Sequence, residues 1–228
     1  MLEAARSVYR TLPGGFQRRV LVARRSPLWL EAGVVFIHIP KAAGTAINDA
    51  LYGRFMGHVR ASDVERWGSP AVKALPRFAV ARNPWNRLVS AYRFVKRGGG
   101  VGGPHAGRVL RSGQYRIPEF ETFERFVTQW LVNRDLSKLD VAFQAQVPFV
   151  CNDAGEVAVD HLGRFEDLGA TYAFLRNAVP AIAPIGESNA SGAPVDYRSF
   201  YTPELVDLVA SIYAEDIAKL GYAFDPSA

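Results

Sequence analysis

Between Val34 and Leu51, a short β-branched apolar run stops at Pro40, and apolar residues then resume with helical spacing. A run that is apolar on both faces suits a strand covered on both sides, as parallel sheets require. Lys41 to Thr45 supply one cation, two small side chains and a glycine where the backbone must turn into a helix. Such a turn aims free N–H groups and the positive end of the helix dipole at one spot. That spot suits an anion, most simply a phosphate or sulfate group.

A second unit of the same kind follows. Arg77 to Ala81 is an apolar run closed by Arg82-Asn83-Pro84, and Pro84 fits the first turn of a helix carrying Trp85, Leu88, Val89, Tyr92 and Val95 on one face. Alternating strands and helices predict an α/β protein with a mainly parallel central sheet flanked by helices. The first helix should start at about Thr45 and end near Gly53 or Gly57, with Met56 to Val59 a strand-like crossing. Ser62 to Glu65 has capping-box spacing, which predicts a helix running toward Leu75. Gly98 to Gly107 reads as a loop, and as a mobile lid over an acceptor. Phe120 to Leu131 marks an apolar helix face, and Pro148–Val150 and Val157–Leu162 read as extended pieces around a turn at 152–155. Leu168 to Val179 reads as a helix. The last helix has Thr202 as N-cap, Pro203 at the first position and Gly221 at its end.

At 228 residues, one domain over 34–228 is expected, preceded by a loosely packed basic arm over 1–33 that is broken by Pro13-Gly14-Gly15 and Ser26-Pro27. Contact of this arm with a membrane surface is an open alternative. The net charge of +5 favours acidic partners: a nucleotide, an acidic glycan or nucleic acid. The single cysteine, Cys151, excludes an intrachain disulfide and a cysteine metal cage. With no run approaching the roughly 20 apolar residues of a spanning helix and no signal peptide, a soluble cytoplasmic protein is expected.

The first loop lacks the Gly-x4-Gly-Lys-[Ser/Thr] order, because its lysine precedes its glycine, and this disfavours a kinase. His38-Ile39-Pro40-Lys41-Ala42-Ala43-Gly44-Thr45 together with Arg82-Asn83-Pro84-Trp85-Asn86-Arg87-Leu88-Val89-Ser90-Ala91-Tyr92 resembles the carbohydrate sulfotransferases of the sulfotransferase type 2 and heparan sulfate uronyl sulfotransferase group. Arg164 to Leu168, Tyr213 to Ile217 and Gly221 to Phe224 follow in the order typical of that group. The resemblance implies a P-loop-like sulfotransferase fold and 3′-phosphoadenosine-5′-phosphosulfate (PAPS) as donor, with 3′-phosphoadenosine-5′-phosphate (PAP) as product. It also implies a glycan or small hydroxyl- or amine-bearing acceptor and no metal. By the same resemblance, Lys41, Ala42, Ala43, Gly44, Thr45 and Ala46 would hold the 5′-phosphosulfate, and Arg82 and Ser90 the 3′-phosphate. The group usually has Ser or Thr where this chain has Ala46, which removes one hydroxyl contact.

In-line displacement at sulfur spreads negative charge onto oxygens, so a cation at the loop contributes most by stabilising it, and Lys41 is the candidate. The acceptor must also lose a proton near neutral pH, a task suited to histidine. His58 is the candidate base, since the resemblance places a catalytic histidine on this crossing. His38, inside a strand, reads as a hydrogen-bonded core residue. Arg164 and Glu166 are expected to form a buried pair, and Asp216 to pair with an arginine or cap a turn. Asn189 and Ser191, in a turn-rich stretch, read equally as adenosine contacts or as part of an exposed loop. A rival reading is a catalytically inactive PAPS- or PAP-binding module. Nucleic acid is not an expected partner, because no motif for it accompanies the charge.

Overall fold

The computed structural model describes residues 13–99, 109, 112–180 and 195–225. Three strands, β1 (Val35–Ile37), β2 (Arg77–Ala81) and β3 (His161–Arg164), form a parallel sheet in the order β1-β2-β3. Phe36 stands opposite Phe78, and Phe78 opposite His161. All of β1 and Phe78 to Ala81 are buried, as the uninterrupted apolar runs require.

Helix α1 spans Gly14–Ala32, where a loose arm was expected. It runs through Pro27 and buries Val22 and Trp29 completely. Burying these two large side chains outweighs the one backbone bond that proline removes. Arg18 reaches Asp63 at 2.8 Å and Arg25 donates to the Met56 carbonyl at 2.9 Å, so the arginines of this helix tie it to the body.

Helix α2 (Gly44–Tyr52) follows β1 and stops at Gly53, which adopts the left-handed conformation (φ 60°) favoured at a helix C-terminus. Its last residue, Tyr52, accepts the Phe36 N–H at 2.9 Å and donates to the Val34 carbonyl at 3.1 Å, satisfying the free edge of β1. Met56–Val59 is irregular rather than a strand. The capping-box helix begins earlier than predicted: α3 is Ala61–Trp67, with Asp63 accepting the Arg60 N–H at 3.0 Å, and a separate turn, α4 (Pro70–Lys73), starts after Ser69.

Helix α5 (Pro84–Lys96) starts as expected, with the Asn83 side chain accepting from the Trp85 and Asn86 N–H groups. The apolar face after Phe120 forms α6 (Phe123–Arg125), which widens into a π-helical turn over Phe126–Leu131. Its rings pack with Tyr92, Tyr115 and Phe143 in one aromatic cluster. Val147–Val150 is a helical turn, α7, rather than an extended piece. Cys151 and Val157 pair across the predicted turn. Helices α8 (Gly169–Ala178), α9 (Pro203–Ile212) and α10 (Ala214–Leu220) complete the order. Thr202 caps α9 through the Leu205 N–H, and Gly221 ends α10 with φ 64°. The glycine-rich lid over 98–107 falls mostly outside the described residues, as do His105, Asn189 and Ser191.

Candidate functional site

The C-terminal ends of β1 and β2 lie side by side, so the segments leaving them meet. Lys41 (φ 70°) and Ala43 (φ 58°) both adopt the left-handed conformation, the only non-glycine residues to do so among those described. A left-handed backbone costs an ordinary side chain of order 1–3 kcal/mol and persists where surrounding structure fixes it. Here it turns the chain into α2 so that Gly44, Thr45 and Ala46 form the first turn, which no side chain caps. Ala42 and Gly44 are buried, while Ala43, Thr45 and Ala46 are half-exposed. Gly44 cannot be replaced in this packing: a Cβ there would stand 1.8 Å from His38 Nε2.

Arg82, at the end of β2, donates through Nη1 to the Lys41 carbonyl (3.0 Å) and through Nη2 to Asn86 Oδ1 (2.7 Å). Its guanidinium lies 4.0 Å above the Phe165 ring, and its buried Nε has no hydrogen-bond partner among the described residues. Gln146 clamps its backbone, accepting the Arg82 N–H (2.9 Å) and donating to the Arg82 carbonyl (2.8 Å). Burial pulls the guanidinium down to about 10. Lys41 Nζ lies 4.0 Å from the centre of the Phe94 ring. Burial first, then the positive charges of Arg82 and Arg97, push its ammonium down to about 7. Half-buried Lys41 and Arg82, with the exposed Arg97 nearby, are thus gathered beside an uncapped helix start, where an anion would relieve their mutual repulsion and the desolvation of the first two. Ser90 is half-buried one helical turn beyond Asn86 on the same face of α5. Asn86, which joins Arg82 to that face, and Gln146 were not singled out by sequence; the i, i+4, i+8 spacing of Arg82, Asn86 and Ser90 was the available signal.

His58, half-buried on the crossing, has Nδ1 3.0 Å from the His38 carbonyl. A carbonyl only accepts, so Nδ1 carries the hydrogen and the neutral ring keeps its lone pair on Nε2. Burial lowers the affinity of His58 for a proton, although Asp140 acts the other way, which favours the neutral form. His38 is a hydrogen-bonded buried histidine, as expected: Nδ1 lies 3.1 Å from Asn48 Nδ2, and burial holds the ring well below the ordinary histidine range. The two imidazoles stand 4.4 Å apart.

The expected buried pair of Arg164 and Glu166 does not form, and both residues are exposed. Arg164 instead donates to the Leu220 (2.9 Å) and Gly221 (3.1 Å) carbonyls at the end of α10, while Glu166 accepts the Asn83 N–H at 2.8 Å. Strand β3 ends there, so the alternation that would turn both side chains inward is lost. Asp216 does both things expected of it, accepting the Gln146 (2.7 Å) and Val147 (2.9 Å) N–H groups at the start of α7 and facing Arg87 at 4.0 Å. His161 stacks on Phe174. No helix among the described residues is long and apolar enough to cross a membrane, and none of their His, Cys, Asp and Glu side chains gather in threes at a metal-binding spacing.

A family model described as "Sulfotransferase family" matches residues 31–223. Comparison with curated proteins and with solved structures gives no match.

Proposed function

The chain belongs to the sulfotransferase family, and from that premise we propose that it transfers a sulfuryl group from PAPS to a hydroxyl or amine of a carbohydrate acceptor. The observation that carries this reading is the junction at 3.0 Å between the Arg82 guanidinium and the Lys41 carbonyl, which joins two cations from two strand ends beside the uncapped start of α2. PAPS has two anionic ends, and two adjacent cationic subsites suit it. The loop from Lys41 through Ala42, Ala43, Gly44 and Thr45 to Ala46 would receive the 5′-phosphosulfate through backbone N–H groups, with the Thr45 hydroxyl added. Arg82 and Ser90 would receive the 3′-phosphate. The basic helix α1 packs on the body, and residues 34–228 act as one catalytic domain beside it.

In the proposed reaction the acceptor oxygen attacks sulfur as the bond from sulfur to the bridging phosphate oxygen breaks. The acceptor proton passes to His58 Nε2, and PAP leaves with the bridging oxygen. Lys41, protonated once an anion lies beside it, stabilises charge building on the transferring group. His58 suits its role because its tautomer leaves Nε2 free and burial keeps it neutral.

The test combines labelled PAPS, a panel of glycan and small hydroxyl acceptors, and His58→Ala. The expected result is label transfer by the parent, with His58→Ala binding PAP as before and losing roughly 100-fold or more in turnover, the usual scale for a positioned base. Unchanged turnover in His58→Ala would remove it from the mechanism. PAP binding without transfer to any acceptor would favour the binding module, a reading to which the missing hydroxyl at Ala46 lends weight.

A further inference from the structure

We propose that His38 is a positioning residue that locks the anion-binding loop and the His58 imidazole into one fixed arrangement. The consequence for turnover rests on the sulfuryl-transfer reading above; the structural coupling does not.

Three contacts carry it. Asn48, on α2, directs Nδ2 both to the Gly44 carbonyl (2.6 Å) and to His38 Nδ1 (3.1 Å). Because the Gly44 carbonyl can only accept, Asn48 must present its NH₂ group on this side, and His38 Nδ1 must be the acceptor. The neutral His38 ring then carries its hydrogen on Nε2, and it packs against the His58 imidazole with the ring centres 4.4 Å apart. Finally, the His38 carbonyl holds the His58 Nδ1–H. One residue therefore grips the first turn of α2 through Asn48, packs its ring against the base, and holds the base through its backbone carbonyl. Its ring also fills the volume that a side chain at position 44 would take. Among the described residues, few charged and titratable groups act on this pair. His58 and Lys41 act on His38, and Asp140 and Lys41 act on His58.

With Nδ1 engaged by Asn48 and Nε2 carrying the hydrogen, His38 is not itself a proton acceptor for the substrate. Its value lies in geometry. In-line transfer needs the base, the acceptor oxygen and the sulfur within a fraction of an ångström of alignment, and a misplacement of about 1 Å can cost ~100-fold. A single ring joining donor loop to base removes the freedom of each to shift separately.

The test uses His38→Leu, close in volume and without polar atoms, and His38→Asn, whose Oδ1 can still accept from Asn48. Three readouts are taken: PAP affinity, kcat and acceptor KM across pH, and ¹⁵N NMR of His58 in the nucleotide-free protein. In the parent, His58 should show the Nδ1–H tautomer alone. In His38→Leu, which keeps the position-38 carbonyl but loses the ring that holds the imidazole against it, it should show a mixture. PAP affinity should fall about 10-fold, the scale of one buried hydrogen bond, and kcat about 100-fold, with acceptor KM within about twofold. The acidic limb of the pH–rate profile should move with the His58 signal, and His38→Asn should recover at least half of the PAP loss on a logarithmic scale. A folded His38→Leu with parental PAP affinity, pH profile and His58 signals overturns the proposal. If His38→Leu does not fold, His38→Asn decides by the same readouts, since it too loses the ring packed against His58 and should show an intermediate His58 mixture; a parental tautomer there overturns the proposal. Should the parent neither bind PAP nor transfer sulfuryl groups, the functional reading fails, while the His58 tautomer comparison still decides this inference.

Discussion

Lys41 illustrates how the proposed anion site would destabilise the free protein that carries it. In the unfolded chain its ammonium keeps a proton up to the ordinary 10.5, whereas in the fold it releases it at about 7. Between those values the unfolded chain holds more protons, so the stability of the free protein should rise with pH from about 7 toward 10.5. Lys41→Met should abolish this rise and, at pH 7, stabilise the free protein by about 1–3 kcal/mol while removing PAP binding. Urea unfolding at several pH values measures both. The histidines act at the acid end. Their folded values lie below the ordinary 6.5, so their contribution is complete above that pH and is lost as pH falls through the folded values. Gly44 is the complementary case. Gly44→Ala would drive a methyl into the His38 ring at 1.8 Å, and it should cost about 1–3 kcal/mol with loss of PAP binding, read by thermal unfolding and calorimetry.

At the scale of elements, the two strand-loop-helix units were legible because each is specified locally. An apolar run fixes the strand, a proline or glycine fixes the turn, and helical spacing fixes the face that packs. Strand β2, the Asn83 cap and the start of α9 at Pro203 fall where their own residues dictate. What local sequence did not show depends on distant partners. Pro148 to Val150 reads as extended, but the Asp216 carboxylate, some 70 residues away, accepts two N–H groups and nucleates a turn there. Helix α1 looked loose because its prolines and glycines are visible locally and its burial against the body is not. The Asp216 tie has a measurable consequence. Asp216→Ala leaves the buried Arg87 without its carboxylate and two N–H groups unpaired, and it should cost about 3–5 kcal/mol in urea unfolding. Because Gln146 also clamps the Arg82 backbone, the folded fraction of Asp216→Ala should bind PAP more weakly than the parent.

For the whole molecule, the sheet places two cation-bearing segments at the C-terminal ends of neighbouring parallel strands, and the family match over residues 31–223 accords with that plan. The resemblance carried the donor and the residue roles, the structure supplied the contacts among Lys41, Arg82 and Asn86, and the acceptor site was legible in neither. An anion that raises Lys41 toward its ordinary value must draw a proton from solution. PAP binding near pH 7 should therefore show proton uptake when calorimetry is compared across buffers of different ionisation heats, with affinity falling as pH rises past 7. Bound PAP should also stabilise the fold by mass action, about 2.7 kcal/mol at a hundredfold excess over Kd. The central claim is that loop and Arg82 together form one site for a nucleotide with two anionic ends. Titrating the protein with PAP and with adenosine 5′-monophosphate, which lacks the 3′-phosphate, tests it most directly. PAP should bind at least about 10-fold tighter, the scale of one charge-assisted contact, with that preference erased in Arg82→Ala and both affinities lowered in Lys41→Ala; equal affinity for the two nucleotides in the parent, or a preference that survives in Arg82→Ala, would contradict it.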